Sequence, residues 1–352
     1  MSAGTRIRGV LVRGIAVSIG LLFGLVLGEV ALRIVAPQEK SWLDIYRKDP
    51  VLPFFSLAPG ISATVETGEG RWHVYTDARG HRVARPSSGN AAAGAEPAGP
   101  TLLVLGDSFA FGHGVEYEQS FSALVTKQLG ADYVLVNTGV PGYGPVQYRQ
   151  VLESYLASGQ RPAAVIVSLF LGNDFMDCVW EKNVQVMDGA LVGDASPWRT
   201  WLKRNLHGYR LVSKVFQRVV PHARGEISDD ELFRSAAWTQ GELARAYGIF
   251  SAELARIGEI CRERGIPVVA VVIPRDVALL PAPPGGSDDP HLPTSKAEEA
   301  LKSAGIRSVD LTEPLAALGA KSAYFARDGH LTPPANEIAA QEILRSLRDE
   351  LN

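Results

Sequence analysis

The chain has 352 residues, 46% of them hydrophobic, which is enough for one sizeable core with extra segments. Its 35 Lys+Arg against 38 Asp+Glu leave a net charge of -3, which excludes the basic footprint of a nucleic-acid binder. Two cysteines, Cys178 and Cys261, exclude a disulfide framework and a cysteine-based metal site; free thiols are expected, with one pairing across the fold left open.

In chain order, residues 1–13 form a basic tail with Arg6, Arg8 and Arg13 and no acid. Gly14 to Gly28 is uncharged but spans only about 22 Å as a helix, short of the roughly 30 Å hydrocarbon core. Continuing to Val35 gives about 33 Å, so a transmembrane anchor is expected over 14–36. Glu29 and Arg33 stand at i and i+4 and can pair on one face near the far interface. A cleaved signal peptide is the rival. No Ala-x-Ala site follows Gly28, and Glu29 and Arg33 suit a cleavage region poorly, which favours the uncleaved anchor. The early arginines place the N-terminus inside the cell. Everything after residue 36 is then expected on the extracytoplasmic, periplasmic side of a single-pass inner-membrane protein.

Residues 37–99 read as a juxtamembrane segment and linker, irregular except for a strand at Arg71–Tyr75. His73 and His81 lie here without a second ligand at metal spacing and read as surface or packing histidines. Pro86 to Pro100 has almost nothing to bury and reads as a flexible linker or exposed loop. A catalytic domain is expected over 100–352.

From Thr101 the pattern is β-α-β-α-β. Strand Leu102–Leu105 breaks at Gly106 and delivers Ser108 to a strand end, ahead of a helix expected after Gly112. A helix around Gln119–Leu129, a strand Tyr133–Asn137, a helix around Pro145–Leu156 and a strand Ala164–Leu171 follow. Near-continuous apolar strands separated by helices predict a parallel sheet covered on both faces. Residues 175–235 interrupt the rhythm as a cap or insert. A hairpin is expected about Asp188-Gly189. Trp198 to His222 has six Lys/Arg and no acid, and reads either as a cap helix with a solvated basic face or as a lid touching a membrane or an anionic substrate. The α/β rhythm returns with a long helix through Leu243–Cys261, strand Pro267–Ile273, a loop Pro274–Pro293, helix Ser295–Ser303, strand Arg307–Leu311 and helix Pro334–Leu351.

A serine becomes a nucleophile when a base takes its proton and a carboxylate orients the base. Asp328-Gly329-His330, before the final helix, offers both on one loop. Asp289-Pro290-His291 is the rival pair, set in a proline-rich stretch before the last strand. His113 lies close to Ser108 in sequence with no evident orienting acid, and reads as local or substrate-facing. Acyl transfer also needs donors for an oxyanion. The glycine-rich turn through Gly142 and the strand end Gly172-Asn173-Asp174 can supply them. No Gly-x-Ser-x-Gly elbow occurs.

The order Gly106-Asp107-Ser108, Gly142, Gly172-Asn173-Asp174, Asp328/His330 resembles the SGNH (GDSL-type) hydrolase superfamily over residues 100–352. The resemblance implies a three-layer α/β/α sandwich with a mostly parallel, flavodoxin-like sheet. It implies Ser108 as nucleophile, His330 as base, Asp328 as orienter, and Ser108 N–H, Gly142 N–H and the Asn173 amide as the oxyanion hole. It implies no metal and no cofactor. The single residue between acid and base, where many members have two, is similar to the alginate O-acetyltransferase-like branch. The expected function is a membrane-anchored serine esterase acting on acyl, foremost acetyl, esters of a glycan or small molecule. The alternatives are an O-acyltransferase modifying a polysaccharide and a catalytically silent binding or assembly protein.

Overall fold

The structure is a computed structural model that describes residues 3–38, 43–67, 69–86, 99–130, 132–179, 184–193, 196–219, 229–280 and 288–351. The helices are α1 (Ala3–Val35), α2 (Ser108–Phe111), α3 (Phe121–Leu129), α4 (Pro145–Ala157), α5 (Asp174–Asp177), α6 (Pro197–Asn205), α7 (His207–Val219), α8 (Gly241–Glu263), α9 (Leu292–Ala304), α10 (Thr312–Leu318), α11 (Ala320–Ala323) and α12 (Pro333–Leu351). The strands are β1 (Tyr46–Lys48), β2 (Phe55–Leu57), β3 (Ser62–Thr67), β4 (Gly70–Thr76), β5 (Arg82–Val83), β6 (Thr101–Leu105), β7 (Val134–Asn137), β8 (Ala164–Phe170), β9 (Gln185–Met187), β10 (Ala190–Val192), β11 (Val268–Ile273) and β12 (Arg307–Asp310).

The chain divides into two compact units: Met1–Ser41 with Val192–Glu226, and Trp42–Leu191 with Ile227–Asn352. In the first, α1 contains one stretch, Leu11–Val35, long and apolar enough to cross a membrane, with a mean hydropathy of 2.3. The basic segment expected as one helix from Trp198 is two. Leu206 between them is extended (φ -117°, ψ 119°), although no proline or glycine stands there. The break is held by side chains that cap both new ends. Arg210 donates to the carbonyls of Lys203 and Arg204 at the end of α6, and Glu29 accepts from the first N–H groups of α7. Residues 220–222 and the expected linker at 87–98 lie outside the described residues.

The second unit is built on a five-stranded sheet in the order β12-β11-β8-β6-β7, parallel throughout. Side chains alternate across it with period two. Leu102 and Val104 face the layer of α3 and α12, while Leu103 and Leu105 face the layer of α4, α8 and α9. Both faces are covered, so the strands read as unbroken apolar runs. This is the expected three-layer arrangement, and the strand order reverses between β6 and β8, where α/β proteins bind their ligands.

The unit holding this sheet begins at Trp42, so the segment read as juxtamembrane contributes to it. That segment forms a β1–β2 ladder and an antiparallel β3-β4-β5 sheet, beyond the one strand expected at 71–75. Strands of two to seven residues with mixed polarity leave little periodicity to read. The expected hairpin is present, with Asp188 and Gly189 both at positive φ between β9 and β10. Cys178 and Cys261 are buried and form no disulfide.

Candidate active site

Ser108 stands at the start of α2, not ahead of a later helix. The helix begins at the serine because the Asp107 side chain accepts from Phe109 N at 2.8 Å, and it ends after one turn at Gly112, φ 84°. Gly106 is forced by packing: a Cβ there would lie 2.5 Å from Ala110 Cβ and 2.9 Å from Ser168 Cβ.

Asp328-Gly329-His330 closes on this serine from the loop before α12. His330 Nε2 lies 2.7 Å from Ser108 Oγ, and Asp328 Oδ1 lies 3.2 Å from His330 Nδ1. Asp328 Oδ1 also accepts the His330 backbone N–H at 2.9 Å. One residue between acid and base therefore suffices, with Gly329 at φ 72°. Burial would raise the Asp328 carboxyl, but hydrogen bonds from the His330 ring and backbone, and attraction to His330, bring it below its ordinary range. The rival pair is different. His291 and Asp289 are exposed, and Asp289 serves as a local turn acceptor for His291 N.

The oxyanion candidates occupy the neighbouring strand ends. After β7, Thr138 N and Val140 N donate to Val104 O and Gly106 O, which stitches the glycine turn to the nucleophile strand. Gly142 lies in that turn at φ 96°. Asn173 follows β8 and donates its amide to Asp177 Oδ2 at 2.8 Å and to Asp107 Oδ2 at 3.3 Å. The structure thus joins Ser108, His330 and Asp328 by direct contact, ties Asn173 to the residue before the serine, and places Gly142 in the turn after β7 whose Thr138 and Val140 bond to the nucleophile strand.

Two buried acids underlie this edge. Burial lifts Asp107 to about 6, against the Phe109 N–H, His330 and Asn173. Asp174, which accepts from Tyr148 Oη at 2.8 Å and Phe170 N at 2.9 Å, is raised well above the ordinary range by burial and by Asp107 and Asp177.

Sequence reasoning missed two residues. His113 does have an acid: its Nε2 lies 3.5 Å from Asp328 Oδ2, and its ring stacks on His330 with centroids 4.3 Å apart. Burial and the His330 charge pull it down to about 3, so it stays neutral. Arg82, on β5, is buried and donates to the carbonyls of Phe111 (2.6 Å), Gly112 (2.5 Å), Val115 (2.7 Å) and His73 (3.2 Å). It fixes the loop that carries His113. No spacing in the chain signals either link, since the partners are far apart in sequence.

His113, Asp328 and His330 place ligand-capable atoms within 4.8 Å of one another, and among the described residues no other such cluster occurs. A cation there would draw His330 and Asp328 away from Ser108. His73 pairs with Glu116 and His81 with Asp77, both outside this cluster.

Residues 228–352 match a family model described as "SGNH hydrolase-like domain, acetyltransferase AlgX"; the match takes in Asp328 and His330 and stops short of Ser108, Gly142 and Asn173. No curated protein matches significantly. Among solved structures the chain is similar to TesA (18% identity, 71% of this chain and 99% of that one, TM-score 0.43). It is also similar to the acetyl xylan esterase AlAXEase (12%, 70% and 99%, 0.41) and to the lipase/acylhydrolase from Enterococcus faecalis (14%, 72% and 97%, 0.40). Residues 228–352 are thus similar to the SGNH hydrolase-like domain of AlgX, and in the structure the Asp328-His330 loop of that region meets Ser108 at the sheet edge.

Proposed function

We propose that the protein is a membrane-anchored, extracytoplasmic serine esterase that cleaves acyl esters, foremost acetyl esters on a glycan or small molecule. The observation that carries the chemistry is the 2.7 Å contact between Ser108 Oγ and His330 Nε2. His330 takes the Ser108 proton as Oγ attacks the acyl carbonyl. The resulting oxyanion is held by the N–H groups of Ser108 and Gly142 and by the Asn173 amide. His330 returns the proton to the departing alkoxide, which leaves an acyl-serine. A water then gives its proton to His330, attacks the acyl group and releases the acid, and the proton goes back to Ser108. Asp328 stays ionised and holds the imidazole tautomer.

A second reading is supported by the family match and by the Asp-x-His spacing: a sugar hydroxyl replaces water in the second half, and the protein is an O-acyltransferase. The anchor part of the proposal rests on the apolar stretch Leu11–Val35 of α1, with the arginines at the start of that helix on the cytoplasmic side.

The test is fluorophosphonate labelling of the full-length protein together with aryl-acetate turnover. Ser108→Ala or His330→Ala should cost at least about 10³-fold in kcat. A folded protein left unlabelled at Ser108 would refute the enzyme reading. Adding oligosaccharide separates the two outcomes, because acylated sugar in place of free acid marks the transferase.

A further inference from the structure

The first unit carries a surface that acyl transfer does not use. Its three helices meet in one polar joint. Glu29 of α1 accepts from His207 N and Gly208 N at 2.9 Å each, at the start of α7, and pairs with Arg33. Arg33 donates to Asn205 O at the end of α6 (2.7 Å), and Arg210 of α7 donates to Gln38 O just past α1 (2.9 Å). A carboxylate at a helix N-terminus and a guanidinium on the last carbonyls of another helix are favourable cap arrangements. The position of α7 relative to the end of α1 is therefore fixed by side chains.

That joint leaves an apolar face of α7 uncovered. Leu211, Val212, Val215 and Phe216 are 36%, 66%, 51% and 63% exposed, and their spacing puts them on one side of the helix. Trp198 and Trp201 on α6 are 58% and 59% exposed. From Pro197 to Val219 there are six Lys/Arg and no Asp or Glu, with Lys214 on the opposite side of α7.

We infer that α6 and α7 form an interfacial foot that lies in the headgroup layer of an anionic phospholipid bilayer, beside the point where α1 leaves it. The inference rests on the reading of α1 as a membrane span. The occupant follows from continuity and charge. With the span running to Val35, Glu29 stands about 9 Å short of its far end, where its pairing with Arg33 and the α7 N–H groups marks the far interface. Because Glu29 caps α7, the first turn of α7 is then at headgroup level. An apolar face flanked by tryptophan, in a stretch that carries no acid, suits that layer, the apolar side entering the acyl boundary and exposed cations such as Arg199 and Lys214 reaching lipid phosphates.

The experiment uses full-length protein reconstituted in phosphatidylcholine vesicles, with and without about 30% phosphatidylglycerol. An environment-sensitive fluorophore is placed at Phe216→Cys, at Lys214→Cys or at Phe23→Cys; native Cys178 and Cys261 are buried. Brominated acyl chains should quench the probe at 216 by roughly half or more, and more strongly with the anionic lipid, and should leave the probe at 214 nearly untouched. Quenching at 23 without quenching at 216 overturns the foot and leaves the anchor standing. Quenching at neither position removes the anchor and the foot together. A probe at 216 shielded from water but not quenched by lipid marks a protein partner and overturns the inference. Equal quenching at 216 in both lipid mixtures overturns its anionic part.

Discussion

Replacing Arg82 by methionine keeps a long apolar stem and removes the guanidinium. Four main-chain carbonyls then lose the guanidinium as donor: Phe111, Gly112, Val115 and His73, with Gly112 keeping a long bond from Val115 N. Hydrogen bonds to a charged group contribute about 1.5–3 kcal/mol each, and deserted buried carbonyls keep their desolvation cost. Removing the cation also relieves its own burial, which has pulled Arg82 down to about 10. The net follows other broken buried charge networks, about 3–5 kcal/mol. The thermal unfolding midpoint of the detergent-solubilised full-length protein, read by circular dichroism, should fall by roughly 6–20 °C, at 2–4 °C per kcal/mol. The loop released is the one holding His113 against Asp328, so aryl-acetate kcat well below the melting point should fall about tenfold or more, near 1.4 kcal/mol. Arg82→Lys should lie between the two, because an ammonium cannot span all four carbonyls. A melting point within about 2 °C of wild type for Arg82→Met would refute the clamp.

Asp107 gives a pH signature. Its carboxyl sits near 6 when folded and near 3.9 when unfolded, so between those values the native state binds more protons and stability falls as pH rises. The difference in unfolding free energy between wild type and Asp107→Asn should shift by roughly 2 kcal/mol from pH 4 to pH 7, wild type losing ground; a flat difference in urea titrations would contradict the burial argument. Any clash of the new amide with Asn173 is pH-independent and drops out of that slope. Gly139→Ala puts a Cβ 2.5 Å from Phe111 N and 2.8 Å from Ala110 Cβ, in the short helix begun by Ser108. A loss of about 1–3 kcal/mol is expected in the same titrations, with lower activity; wild-type behaviour would mean the β7 loop can withdraw. His113→Phe keeps a ring against His330 and withdraws Nε2 from Asp328. Its kcat/KM should drop about tenfold, and an unchanged value would show that the Asp328–His330 pair holds itself.

The parallel sheet and its covering helices were legible because Leu102–Leu105, Ala164–Phe170 and Val268–Ile273 are nearly unbroken apolar runs. Ser108, His330 and Asp328 could be picked out because a serine at a strand end and an Asp-x-His loop are local patterns, and the structure joins them. What stayed hidden is held by long-range contacts. The helix at Ser108 is a single turn held by one side-chain cap, so it has no periodicity to announce it. The antiparallel strands at 62–83 are short. The division of α6 from α7 at Leu206 depends on Glu29, far earlier in the chain. His113 gains its acid only when Asp328 arrives, and Arg82 reads as an ordinary surface cation until its four carbonyls gather around it.

Ser108 and His330 touch although they stand 222 positions apart in the chain. Their contact closes one of the longest loops in the molecule, and loop-closure entropy makes such contacts slow to form. Until then Ser108 is an ordinary alcohol with no base beside it. A chain still emerging, or crossing a membrane unfolded, would carry a chemically inert serine. Reactivity would be switched on by completion of the fold, when the last loop before α12 swings onto the first helix after β6.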